Sequence, residues 1–489
     1  MSPSSASAQT DHDTEDKFVC HACVGDSFLS DAIQQRGEQH ACSYCDTTQE
    51  AISIEVFADE IEGVFDRHYR RTSTGPNDYE YMLLRDKESS YDWNRHGEPV
   101  VDAIASAAEV DETIAEDAQR ILEDRHADYD SAAMGEECEF DADSHYEEKR
   151  ASDADLQHSW VSFESSLKTQ SRYFNREAEA VLTSLFDGLV NHKTVAGKRV
   201  VIDIGPETKI KSLYRARVFQ SDPPLEQAMA RPDRELGPAP THLAANGRMN
   251  ARGISVFYGA LTPEVALAEI RPPVGSRVMI GKFAVVRPLK ILDVEALQSV
   301  LVRGSIFDGT FIGKLQRARF LRRLSDRITR PVMPNDEPSD YLITQAIADY
   351  LAGHAGIDGI LYPSAQVGSA KKNKNVALFH PSSRVEALTF PPGTELSART
   401  YTNYEEGPEP DYWVSEEVPE TQPAPEPKPL LPHVFPELLD EARDFDPRVV
   451  TLQLDLDSLE VREIEAVSFK TSKHPVRRHR FKRSDFDFL

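Results

Sequence analysis

The stretch SDYLITQAIADYLAGHAGIDGILYPSAQVGSAKKNKNVALF, residues 339–379, decides how the C-terminal half of the chain folds. Its apolar residues recur at helical spacing from Tyr341 to Leu351 and then give way to a short apolar run, GILYPS, at 359–364. That pattern reads as a helix feeding a strand that ends at Ser364. A polar, glycine-containing loop with Lys371, Lys372 and Lys374 follows, and VALF at 376–379 returns as a further strand. Ser364, at a strand end, either orients a ligand or caps the next turn. The three lysines read most simply as a solvated loop.

Working outward, similar β-branched runs stand at VVID (200–203), YRARVF (214–219), SVFY (255–258) and RVMIGKFAVV (277–286). Helical patterns separate them, at about Pro263–Arg271 and Gly313–Ile328. Strands alternating with helices in this way predict a mixed α+β domain over 199–390. Within SLYRARVF, 212–219, Arg215 lies among apolar neighbours. An arginine there is either salt-bridged for structure or a fork for a phosphate or carboxylate. In NGRMNARGISVFYGALTPEVALAEIR, 246–271, a glycine- and arginine-rich loop leads to a strand ending at Tyr258, and Pro263 opens a short helix. Ala266, Leu267 and Ile270 form its expected buried side. Glu269 stands near its C-terminus, where the helix dipole disfavours a carboxylate. Either the glutamate has a role there or it pairs with Arg271 or Arg252.

The N-terminal half reads differently. Residues 1–16 are too polar to pack and are expected to form a disordered tail. Cys20-x₂-Cys23 and Cys42-x₂-Cys45 follow in the segment 17–48, 18 residues apart. Two such knuckles bring four thiolates together for a closed, structural tetrahedral Zn²⁺. Redox dithiols would need a thioredoxin-like setting that this region lacks. His21 and His40 are substitute ligands, and Cys138 stands alone in an acidic stretch. From 49 to 198 the pattern is helical. Ile54, Phe57, Ile61, Val64 and Phe65 make one stripe, and one long helix is expected over Pro99–Asp124. Further helices fall near Trp160–Lys168 and Glu177–Leu189, with a solvated acidic segment at Gly135–Asp155. Residues 391–436 are a proline- and glutamate-rich linker, and 437–489 a C-terminal extension. The extension holds the alternating run VVTLQLDLDSLEV (449–461) and a basic cluster, RRHRFKR (477–483).

The chain has 489 residues and a formal net charge of −27. Such a charge repels nucleic acid wherever no basic patch offsets it. No apolar run reaches the roughly 18 residues of a membrane span. The N-terminus lacks the basic and apolar regions of a secretory signal, so a soluble cytoplasmic protein is expected.

Taken together, the segments around Arg215, Tyr258, Glu269 and Ser364 resemble the RES domain, named for arginine, glutamate and serine. The resemblance covers about 205–390, with the four positions in the family's order. The cysteine pairs and following helices, with W…GEPVVDAI at 93–104, resemble the HEPN-like N-terminal domain often fused to RES domains. The resemblance implies an ADP-ribosyltransferase-like α+β fold and a toxin that consumes NAD⁺ as substrate, with a cognate antitoxin as partner. The nicotinamide–ribose bond would break, with water or inorganic phosphate as acceptor, through an oxocarbenium-like transition state. Arg215 would grip the pyrophosphate, Tyr258 stack on nicotinamide, Glu269 stabilise the cation and Ser364 position the ribose. Arg248 and Arg252 would contact phosphate. The absence of a GxGxxG fingerprint fits NAD⁺ as substrate rather than recycled hydride carrier. Three alternatives stand beside it: ADP-ribosyl transfer to a macromolecule, RNA binding or cleavage through a HEPN-type Arg120 and His126, and a regulatory zinc module with an inactive α+β domain, against which the four occupied positions argue.

Overall fold

The β-branched runs of the C-terminal half pair into one eight-stranded sheet. Its order is Leu452–Glu463, Arg277–Val285, Ser212–Phe219, Phe257–Ala260, Lys374–Leu378, Gly359–Pro363, Leu289–Asp293 and Val201–Ile204. All neighbours run antiparallel except Gly359–Pro363 beside Leu289–Asp293. The centre is apolar on both faces. Val278, Met279 and Ile280 are buried in succession, and so are Val376, Ala377 and Leu378, which explains why these runs do not alternate. Phe257, Phe283, Leu213 and Leu378 lie in the core of one face, and Val265, Ala266, Val278 and Ile280 in that of the other.

This computed structural model describes residues 17–330, 337–367, 372–405, 407–420, 446–468 and 470–480. The expected tail at 1–16 lies outside them, as do Lys371 and the last residues of the basic cluster. The chain divides into two compact units, one of residues up to 200 with 296–328, the other of 201–295 with 329 onward. The segment 296–328, expected inside the α+β domain, thus packs with the first unit. Among the described residues no helix is long and apolar enough to cross a membrane.

Two expectations about the C-terminal quarter change. The 391–436 stretch is not simply a linker, because Glu395–Tyr404 and Gly407–Glu417 pair as an antiparallel hairpin. Pro408 and Pro410 are tolerated because a two-stranded ribbon consists of edges only. Residues 421–436 lie outside the described residues. The extension beyond 437 is no appendage either: Leu452–Glu463 is an outer strand of the main sheet, with Leu452 fully buried.

In the first unit, Phe18–Cys20, Thr48–Ser53 and Glu38–Ala41 form a small antiparallel sheet with the central strand last in sequence. Helices Ile54–His68, Val100–Ala108 and Glu112–His126 share one core, to which Phe57, Ile61, Ile104 and Leu122 contribute. The single helix expected over Pro99–Asp124 is two. Glu109 adopts a left-handed backbone (φ +53°), which ends the first, and Asp111 begins the second. The acidic segment Gly135–Asp155 is also more ordered than its charge suggested. It contributes the strand His145–Glu148 and buries Phe140 and Tyr146. Helices Ala154–Thr169 and Phe311–Thr329 meet through Trp160 and Phe320, whose ring centroids are 5.4 Å apart.

Candidate functional site

Strands Ser212–Phe219 and Phe257–Ala260 are registered at Tyr214↔Ala260. Beside that pairing lies a cavity of about 510 Å³, bounded by Arg215, Arg248, Tyr258, Glu269, Tyr362 and Asn375, together with Tyr214 and Tyr341. The volume falls within the usual range for small-molecule sites. Four of the six residues expected in the site, Arg215, Arg248, Tyr258 and Glu269, therefore border one space.

Arg215 is half-buried in its strand. Its guanidinium lies 5.2 Å from the centre of the Phe257 ring, and its Nη1 is shielded from solvent without a hydrogen-bond partner. Burial, with Arg217 nearby, pushes its pKa down to about 10. Among the described residues no carboxylate pairs with it. The structural salt-bridge reading of this arginine is thereby removed, and what remains is a cation held at a cavity without its anion.

Tyr258 is committed through its hydroxyl. It donates to Asn250 Oδ1 (2.7 Å) and accepts from Met249 N–H (2.9 Å). Gly247 lets this loop close on the phenol: a Cβ there would meet Asn250 Oδ1 at 2.5 Å and the Tyr258 hydroxyl at 2.7 Å. Gln345 donates to Asn246 Oδ1 and to the Gly247 and Asn250 carbonyls, which fixes the loop from the helix Glu337–Gly353. Arg248 is carried on that loop and donates to the Arg330 carbonyl (2.9 Å). Burial raises the Tyr258 pKa to about 12, so the phenol stays neutral where the residue borders the cavity.

Glu269 is the last residue of the helix Pro263–Glu269, which Thr262 caps by accepting from Val265 N–H (3.3 Å). The expected buried side is shifted: Val265 and Ala266 are buried, Leu267 and Ile270 only half so, and Glu269 is exposed. Neither Arg271 nor Arg252 pairs with it. Glu269 Oε2 instead accepts from Asn375 Nδ2 at 2.9 Å. Two residues on, Arg271 has a left-handed backbone (φ +47°), rare for a non-glycine residue, and also borders the cavity.

Ser364 and Arg252 do not border it. Ser364 is buried, and its Oγ accepts from Gln366 N–H (3.2 Å), capping the turn while Pro363 and Ala365 on either side face the cavity. Arg252 is exposed in the turn before Gly253 (φ +87°), which carries it off the cavity wall. The solvated-lysine reading fails for Lys374. It is buried at the start of its strand and paired with Asp293 (2.9 Å) and Glu295 (2.6 Å). Asn375, Tyr214, Tyr341 and Tyr362 were missed. Only Tyr214 and Tyr362, beside Arg215 and Ser364, carried a signal.

The four cysteines converge in the first unit, with every Sγ within 4.8 Å of the others. Cys20 and Cys45 are 3.6 Å apart, Cys23 and Cys42 3.8 Å. Four sulfurs at ~2.3 Å from a tetrahedral zinc ion sit ~3.8 Å apart, so the donor set fits that metal. A left-handed Asp46 (φ +55°) donates its N–H to Cys42 O, which shapes the second knuckle. Burial raises the Cys20 and Cys23 thiols, while the Thr47 amide and hydroxyl lower Cys45 to about 6. Arg120 and His126, on one helix, both face carboxylates: Arg120 lies near Asp117 and Glu116, and His126 bonds Glu62 at 2.8 Å. That ring of acids is a poor seat for RNA.

Two family profiles match the chain: RES domain over residues 213–397, and HEPN/RES N-terminal domain 1 over residues 35–181. The chain thus carries an N-terminal HEPN/RES domain and a C-terminal RES domain. Arg215, Tyr258, Glu269 and Ser364 all fall within the RES match, whereas the outer strand Leu452–Glu463 lies beyond it. Among solved structures, a crystal structure of the M.tuberculosis MbcT-MbcA toxin-antitoxin complex is similar at 15% identity, over 36% of this chain and 76% of that one, with a TM-score of 0.19. No curated protein matches the chain.

Proposed function

We propose that the RES unit is an NAD⁺-consuming enzyme that cleaves the nicotinamide–ribose bond, acting as a toxin held in check by a cognate antitoxin. One observation carries this reading: an unpaired, partly buried guanidinium, Arg215, and a carboxylate, Glu269, border the same cavity. The guanidinium suits a pyrophosphate, which it would bind through charge-assisted hydrogen bonds. The carboxylate suits a developing oxocarbenium ion, whose charge it would stabilise as the bond breaks. Tyrosines, with Tyr258 foremost, supply flat apolar faces for the nicotinamide ring. Ser364 acts at one remove, by fixing the turn that carries Ala365 and Gln366. Arg248 is a second phosphate ligand. The RES match supports enzymatic activity in general.

In the same reading the four cysteines hold one structural Zn²⁺. With four sulfurs around it the ion has no open position, so it stabilises the fold and takes no part in the reaction.

The test is incubation of the purified chain with ribose-labelled NAD⁺, with and without inorganic phosphate. Free ADP-ribose supports hydrolysis, and a phosphate-dependent second product supports phosphorolysis. Label on a macromolecule would favour the ADP-ribosyltransferase alternative. Intact NAD⁺ after prolonged incubation would overturn the proposal.

A further inference from the structure

Asn375 is nearly fully buried, at 2% exposure, in a strand whose other residues are apolar except for the ion-paired Lys374. Its register is fixed on both sides, opposite Tyr362 in one neighbour and Ala260 in the other. The side-chain amide makes one hydrogen bond, from Nδ2 to Glu269 Oε2. Its Oδ1 is shielded and has no partner. A valine would fill such a position without leaving a buried acceptor unmet. The chain instead retains an amide whose bonding half is directed wholly at one carboxylate.

A carboxylate oxygen accepts from the amide's NH₂, and this bond restricts the rotation of the Glu269 side chain. Other groups bordering the same cavity are Arg215 and Tyr214 from one strand, Tyr258 from the next, Tyr362, Arg271, and Arg248 with Tyr341. None of these is hydrogen-bonded to Glu269, so Asn375 is the side chain that holds it.

We propose that Asn375 is a positioning residue, whose buried amide holds the Glu269 carboxylate at the cavity. The catalytic part of this proposal rests on the NAD⁺-cleaving role proposed above, but the positioning contact does not. Two changes separate them. Asn375→Asp replaces the donor with a like charge, and Asn375→Leu removes the donor while keeping the branched skeleton at a larger volume.

The experiment is carbon-13 relaxation NMR of the full-length chain labelled at glutamate side chains, with the Glu269 signal assigned by its loss in Glu269→Gln. Melting temperatures and NAD⁺ turnover are measured beside it. The Glu269 side chain is expected to become more mobile in both variants, with kcat reduced roughly ten-fold or more and KM little changed. If one variant fails to fold, the other supplies the same readout. Unchanged Glu269 mobility in a folded variant overturns the inference. Increased mobility with a wild type inert toward NAD⁺ keeps the contact and removes the reaction assigned to it.

Discussion

A guanidinium beside a cavity with no anion to meet it is costly to the free protein. Arg215 is in that position, and its pKa, pushed down to about 10, expresses the cost. Because its folded value lies below its unfolded one, the penalty is present in full at neutral pH and shrinks only as pH rises through about 10. Arg215→Met should therefore raise the stability of the ligand-free chain, by about 1–3 kcal/mol, while abolishing NAD⁺ binding. Calorimetry with and without NAD⁺ checks both halves, and a lower melting temperature would return Arg215 to a structural role. Arg215 could be singled out in the sequence because charge among apolar strand residues is unusual. Asn375 and Tyr341 could not, since each becomes part of the cavity wall only when distant strands or helices meet. Ser364 and Arg252 show the reverse limit. Their place in the chain was right for a site, but a turn one or two residues long decided where each side chain went.

At the level of elements, the outer strand Leu452–Glu463 has the largest consequence. Its alternation was legible, but its partner was not, because pairing with Arg277–Val285 spans some of the longest sequence separations in the fold. Leu452 and Leu454 bury their side chains in the RES core. Fully burying each is worth ~1.5–3 kcal/mol. A chain ending at residue 446 should lose several kcal/mol and expose the edge of the central sheet. One ending at residue 468 should melt as the full chain does, even though it lacks the basic cluster. Comparing their urea midpoints tests this, and equal midpoints would mean that the strand is dispensable. The sequence also joined Val100–Ala108 to Glu112–His126 as one helix. Periodicity carries across a break of three residues, which the left-handed Glu109 and the extended Asp111 make.

On the scale of the whole molecule, the two units divide the work. The first contains the cysteine cluster and most of the helices; the second contains the cavity. Metal analysis of protein purified without chelators should give one zinc per chain. Cys20→Ser should lower the stability of the first unit, because metal binding and folding are linked there. It should leave the Arg215 cavity able to bind NAD⁺, and loss of that binding would contradict the division. The return of 296–328 to the first unit was not legible, since the helical pattern at 313–328 looks the same wherever it packs. The charge that Glu269 would supply to the breaking nicotinamide–ribose bond is read out by NAD⁺ turnover of Glu269→Gln beside the wild type, with melting temperatures for both. A folded variant slower by roughly two or more orders of magnitude is expected. Turnover near the wild-type rate in the folded variant would contradict it.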